Sequence, residues 1–340
     1  MPGLSRVGIV AIGRNEGERL KACLRSVVGA GPVAYVDSGS TDGSQEFAAG
    51  LGVEVVALAV PPAFTAARAR NAGAAALLTR APELEYLQMV DGDCEVREGW
   101  IAAAVAALEA EPDLALVFGR RRERHPDRSI YNALADDEWN VPVGEAQACG
   151  GDVMLRVSSF RQVGGYPETM IAGEEPDMSM RLRKAGWRLR RIDAEMTLHD
   201  AGMTRFGQWW NRTRRAGHAF AELAHRHPEV RSPDWKAICR RIILWGGVLP
   251  AIGLAGLVGG LWWRPLLLVP VGWLLLVRLN IMRLAARRRR EGLPRQIAHA
   301  SAVLLMVGKL PEFLGLLRFH RNRLLGRGAT LIEYKGPEPA

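Results

Sequence analysis

Three short stretches of the 340-residue chain place acidic side chains where they can handle a charged ligand. Leu87 to Val90 is an apolar run that ends in Asp91-Gly92-Asp93, so a strand would deliver two carboxylates at its carboxyl end. Oxygen donors so placed suit a hard divalent cation, Mg2+ or Mn2+, which keeps open positions for phosphate oxygens. Asp-Gly-Asp is also a common turn, so the pair needs its neighbours to mean anything. Gly173-Glu174-Glu175-Pro176-Asp177 opens a helix-like segment with three carboxylates. Such residues complement a helix dipole. They can equally accept a proton from an attacking hydroxyl.

The third stretch follows from the order of the elements. Val7 to Ile12 reads as a strand, Leu20, Cys23, Leu24 and Val27 recur at helical spacing, and Ala34 to Val36 reads as a second strand running into Asp37-Ser38-Gly39-Ser40-Thr41-Asp42-Gly43-Ser44. With a third strand at Val53 to Leu58, the pattern is a doubly wound parallel sheet. Ligands bind such sheets at the carboxyl ends of the strands, which gathers Asn15, Glu16, Asp37 and Asp42 at one edge. Carboxylates there suit ribose hydroxyls and base N–H groups. Neither a GxGxxG nor a GxxxxGK[ST] loop is present, so dinucleotide and phosphate-loop chemistry are unsupported. Gly150 and Gly151 allow the backbone to approach a ligand closely.

The chain changes character near Arg240. Ile242 to Trp263 carries no formal charge and, as a helix, reaches roughly 33 Å, enough to cross a bilayer core. Arg264-Pro265 breaks it, and Leu266 to Met282 returns, making a helical hairpin. Lys236, Arg240 and Arg241 precede the first span, and Arg283 and Arg287 to Arg290 follow the second, so the positive-inside rule puts both ends in the cytoplasm. Ile297 to Gly308 is too short to span and meets Lys309, Pro311 and Glu312. We expect an interfacial or re-entrant helix over about 297–318. The expected organisation is a catalytic unit over 1–235 and a membrane region over 236–335, with spans at about 242–263 and 266–282.

The formal charge of +9 lies beside these apolar runs and lacks interleaved aromatics, which fits an anionic membrane better than nucleic acid. Cys23, Cys94, Cys149 and Cys239 form no paired motif, as expected of reduced thiols. Val7 to Ile12 is too short for a signal peptide. The Gly-Pro-rich tail after Lys335 reads as disordered.

Taken in order, Arg14-Asn15-Glu16, the Val36-to-Ser44 loop, Ala69-Arg70-Asn71-Ala72-Gly73, Asp91-Gly92-Asp93, Gly150-Gly151 and Gly173-to-Asp177 with Arg181-Leu182-Arg183 resemble the family 2 glycosyltransferases. The resemblance implies an α/β fold of the GT-A type, Rossmann-like and mostly parallel, in a membrane-anchored bacterial member. It implies that Asn15, Glu16, Asp37 and Asp42 surround the nucleotide of a nucleotide-sugar donor, that Arg70 helps hold the donor, and that Asp91 and Asp93 bind the metal. Glu175 stands where the family commonly has Asp, so it takes the position of catalytic base, with Glu174 or Asp177 as alternatives. An inverting single displacement follows from the same likeness. Some metal-dependent transferases of this fold add a histidine, which here would be His199. Trp209 and Trp210 either lie at the membrane interface or bind the acceptor beside it. The implied acceptor is lipid-linked or a growing surface polysaccharide at the bacterial inner membrane. A polyprenyl-phosphate sugar synthase and an inactive sugar-nucleotide-binding subunit are the alternatives.

Overall fold

A computed structural model describes residues 6–60 and 63–327; the tail after Lys335 lies outside the described residues. The chain begins with alternating strands and helices: β1 (Val7–Gly13), α1 (Glu18–Val27), β2 (Val33–Asp37), α2 (Ser44–Gly50), β3 (Glu54–Ala57), α3 (Ala66–Arg80) and β4 (Tyr86–Asp91). These strands pair in parallel, in the order β3-β2-β1-β4. Helices cover both faces, so β1 and β2 are buried nearly end to end and read as unbroken apolar runs.

The second half widens the sheet. After β5 (Cys94–Val96), α4 (Trp100–Ala110), β6 (Leu114–Glu123), α5 (Ile130–Glu138), β7 (Gly144–Glu145), β8 (Val153–Arg156), α6 (Val157–Val163) and α7 (Glu174–Lys184) comes the long β9 (Arg188–His199). Strand β8 inserts antiparallel between β4 and β6, while β9 runs parallel to β6 and antiparallel to β5 and β7. The sheet is therefore parallel through β3-β2-β1-β4 and mixed beyond it. One consequence governs the site: the β5–β9 pairing sets Cys94 opposite His199, so Asp93 and His199 become neighbours.

Helix α8 (Phe206–Arg226) leaves the sheet with one strongly apolar face and leads into α9 (Trp235–Ile243), α10 (Leu249–Gly259), α11 (Leu268–Arg290), α12 (Arg295–Val307) and α13 (Lys309–Leu324). Among the described residues, three helical stretches are long and apolar enough to cross a membrane: Trp235–Gly259, Arg264–Arg290 and Arg295–Leu324. The first contains a π-helical turn at Leu244–Val248, directly before Pro250, whose missing N–H cannot serve the regular helical ladder. Glycine faces let these helices close on each other: Gly253 and Gly256 lie against Trp273 and Val269.

The third stretch covers the helix expected over about 297–318 and extends it to Leu324. Lys309 and Glu312 neutralise each other at 2.6 Å, and Pro311 occupies the first turn of α13, where a helix tolerates it. Helix α13 then packs on α8. A Cβ on Gly217 of α8 would collide with the Glu312 carbonyl, and one on Gly315 with the Arg214 carbonyl, so the two backbones touch.

Candidate active site

The site is built around Arg70. Thr65 caps α3 by accepting from the Arg68 amide at 3.1 Å, and Gly73 lets the helix settle on Val10 and Val36. That seating puts Arg70, one turn earlier, beneath the strand ends, where it is 2% exposed. Its guanidinium donates to Asp91 at 2.8 Å and to Glu174 at 2.9 Å and lies 3.5 Å from Glu175. The Tyr166 ring lies under it at 5.4 Å. Burial opposes the Arg70 charge, but Asp91, Glu175 and Glu174 outweigh it and push the pKa up. Gly151 is required beside this pair, because a Cβ there would sit 2.5 Å from Arg70 Nη2 and 2.7 Å from Asp91 Oδ2. Gly150 faces open space.

The three acidic residues of α7 divide into distinct environments. Glu174 is buried and committed to Arg70. Asp177 accepts from Arg181, Arg226 and His227, each at 2.8 Å, and these bonds hold its pKa down against burial. It ties α7 to the end of α8. Glu175 keeps an 18% exposed side chain. Burial first, and then the charge of Glu174, push its pKa up to about 7, with Arg70 pulling the other way. A carboxylate poised near neutrality is matched to general-base work.

Asp93 and His199 meet at 3.0 Å, with Glu123 3.5 Å from the other imidazole nitrogen. Asp93, Cys94 and His199 offer donor atoms within 4.8 Å of one another, and so do Asp91, Cys94 and Asp152. Burial holds the His199 pKa down and pushes the Cys94 thiol up, so imidazole and carboxylates are the available donors. A carboxylate backing a histidine that faces another carboxylate is the arrangement that orients metal ligands. Asp93 and His199 fall in one of these groups and Asp91 in the other, and their carboxylate and imidazole donors are of the types that Mg2+ or Mn2+ accepts.

The four residues expected at the nucleotide are laced into the loops around them. Asn15, in the left-handed region at φ 53°, accepts from the Thr41 amide at 2.8 Å, while its own amide donates to Ser40. Asp37 is fully buried and accepts from Tyr35, from the Gly39 and Ser40 amides and from Gln45. Asp42 accepts from the Gly17 amide and from Ser44. Glu16 pairs with Arg19 at 3.1 Å. These four residues therefore share one edge, and Asp37 and Asp42 shape the loop with their own oxygens.

Several residues at the centre were missed by the sequence reading. Asp152 accepts from the Asp91 amide at 3.0 Å and from Thr197 at 2.7 Å. Arg121 reaches Asp91 and Asp152 at 3.5 Å and stacks over Trp139 at 4.8 Å, and Trp139 meets His199 edge-on at 4.6 Å. Trp139 follows an acidic helix end whose members each bind a different element: Asp136 to Arg120 of β6 at 2.7 Å, Asp137 to Arg288 of α11 at 3.0 Å, Glu138 to Arg212 of α8 at 2.9 Å. The end of α5 is thus a joint between sheet, hairpin and α8. Trp209 is 8% exposed, stacked on Tyr131 of α5 at 6.1 Å and packed near Phe206, so it belongs to this joint; Trp210 touches Phe206.

Residues 9–160 match the model of glycosyl transferase family 2, and residues 132–205 match that of the N-terminal domain of galactosyltransferase. Proteins named pre-mycofactocin glycosyltransferase from two strains of Mycobacterium tuberculosis are 27% identical over 271 residues, covering 76% of this chain and 54% of theirs. The chain spans about half the length of the curated relatives it matches. A mannosyltransferase from Pyrobaculum calidifontis, solved in complex with GDP-Man and Mn2+, superposes with a TM-score of 0.54 at 18% identity over 94% of this chain and 87% of its own, and so has the same fold.

Proposed function

We propose that this chain, which belongs to the family 2 glycosyltransferases, is a membrane-anchored enzyme that moves a sugar from a nucleoside-diphosphate donor to a hydroxyl of a lipid-linked or saccharide acceptor. The observation that carries this reading is the convergence of Arg70, Asp91, Glu174 and Glu175 beside the Asp93–His199 pair at the carboxyl ends of the strands.

In this reading Glu175 accepts the acceptor's proton as the hydroxyl attacks the anomeric carbon from the face opposite the leaving group, which inverts the configuration. Glu174 holds Arg70 in place, and Arg70 with Arg121 supplies positive charge beside the departing diphosphate. Asp91, Asp93 and His199 would hold a divalent cation, which when bound would add positive charge beside that diphosphate. Asn15, Glu16, Asp37 and Asp42 form the nucleotide edge, and Gly150 and Gly151 admit the acceptor. Residues 1–235 are the catalytic unit and 236–335 the anchor, with the site on the cytoplasmic face of a bacterial inner membrane.

The test is nucleoside diphosphate release by the detergent-purified chain with native lipids, over a panel of nucleotide sugars that includes GDP-mannose, with Mg2+ or Mn2+, for wild type and Asp93→Ala. Release that needs Asp93 supports the transferase and identifies its donor. Acceptor arms with polyprenyl phosphate, a lipid-linked saccharide and pre-mycofactocin then separate the acceptor classes. Donor binding without release from any sugar would sink the enzyme reading in favour of an inactive sugar-nucleotide-binding subunit.

A further inference from the structure

We propose that the cleft between α11 and α12 holds one anionic glycerophospholipid from the surrounding bilayer. The cleft has a volume of about 790 Å³ and is lined by Met282, Ala285, Ala286 and Ala300 along its wall and by Arg289, Arg295, Gln296 and His299. The proposal rests on α11 being a membrane span, a reading that its length and apolar composition support. On that reading the basic end of α11 lies at headgroup depth.

The chemistry of the lining selects the occupant. Arg287 and Arg288 are engaged with Glu291 and Asp137, whereas Arg289 and Arg295 line the cleft, and no acidic residue lines it with them. Two guanidinium forks facing one cavity suit a phosphodiester, to which each can donate twice. Gln296 and His299 add groups for headgroup hydroxyls and ester carbonyls. The three alanines leave a shallow wall along which an acyl chain can lie, with Met282 adapting to its shape. A zwitterionic lipid brings its own cation toward two arginines, so the cleft favours a net negative headgroup.

The position gives the site a consequence. Arg288, adjacent to the cleft residue Arg289, forms the bridge to Asp137, and two residues on lies Trp139 against His199. A lipid filling the cleft braces the α11–α12 elbow on the membrane side of that joint.

The full-length chain in nanodiscs of mixed phosphatidylglycerol and phosphatidylethanolamine is the test, with retained lipids counted by native mass spectrometry. Wild type is expected to retain a single phosphatidylglycerol in preference to phosphatidylethanolamine. Arg289→Ala with Arg295→Ala should lower that occupancy about tenfold. Ala300→Trp, which fills the wall and keeps both arginines, should lower it as well. Arg290→Ala with Arg323→Ala removes the same charge from exposed positions outside the cleft and should leave retention unchanged. Equal loss in the two arginine pairs, or equal retention of the two lipids by wild type, overturns the proposal. The readout needs no turnover, so it stands or falls separately from sugar transfer.

Discussion

At the scale of single residues, the site assigns different work to chemically similar groups. Glu174, Glu175 and Asp177 lie within one helical turn, yet only Glu175 keeps an exposed edge and a pKa pushed up to about 7. A base must be ionised to act, so turnover should fall as pH drops through about 7, approaching tenfold per unit below it. Glu175→Gln should remove that limb and lower kcat by about 10²- to 10⁴-fold with donor binding retained; a pH–rate profile alongside donor titration checks both. Asp177→Asn should instead loosen the α7–α8 tie, seen as a lower melting temperature, because Arg181, Arg226 and His227 lose their shared carboxylate. Gly151→Ala tests the close approach around Arg70: its Cβ would press on both members of the Arg70–Asp91 pair, and kcat/KM for the donor should drop by an order of magnitude or more.

At the scale of elements, the end of α5 links the hairpin to the catalytic centre through salt bridges on partly exposed side chains. Each is worth little alone, on the order of 0.2 to 1 kcal/mol. Their effect should appear as coupling. A double-mutant cycle on Asp137→Asn and Arg288→Ala, read in donor turnover, should give a non-additive term of about 0.5 kcal/mol or more, whereas independent sites would add. Trp139→Ala should lower activity more than either, since it removes the ring that packs on His199 and Arg121. This element also shows where sequence stops being informative. The run Arg120 to Glu123 lies on a strand whose pairing with β9 carries register irregularities at Phe118/Arg120 and Arg120/Arg121, so which arginine faces the site is decided by long-range pairing. By contrast β1, β2 and β4 announce themselves by apolar runs that end in polar residues, and the Asp91-Gly92-Asp93 position follows directly from the end of β4. Asp152 sits beside two glycines already read as a close approach, yet its bonds to the Asp91 amide and Thr197 depend on β8 inserting next to β4, which no local pattern indicates. The helix expected over about 297–318 takes the form of α12 and α13, with the Lys309–Glu312 charge pair just after their join at Gly308.

At the scale of the whole molecule, α8 and α13 are pressed together through Gly217 and Gly315 with backbone against backbone. Gly315→Leu has no room to relax and should destabilise the junction by about 1 to 3 kcal/mol, measurable as a lower unfolding temperature in detergent. A contact of this kind has little slack for sliding. With the apolar helices as the anchor proposed above, the sheet domain rides at a fixed height and tilt over the membrane, like a tool bolted to a bench. On the proposed function, a lipid-linked acceptor must carry its hydroxyl to that height itself, so the spacing between lipid and sugar becomes a criterion of selection, one set by helix packing far from the groups that touch the sugar.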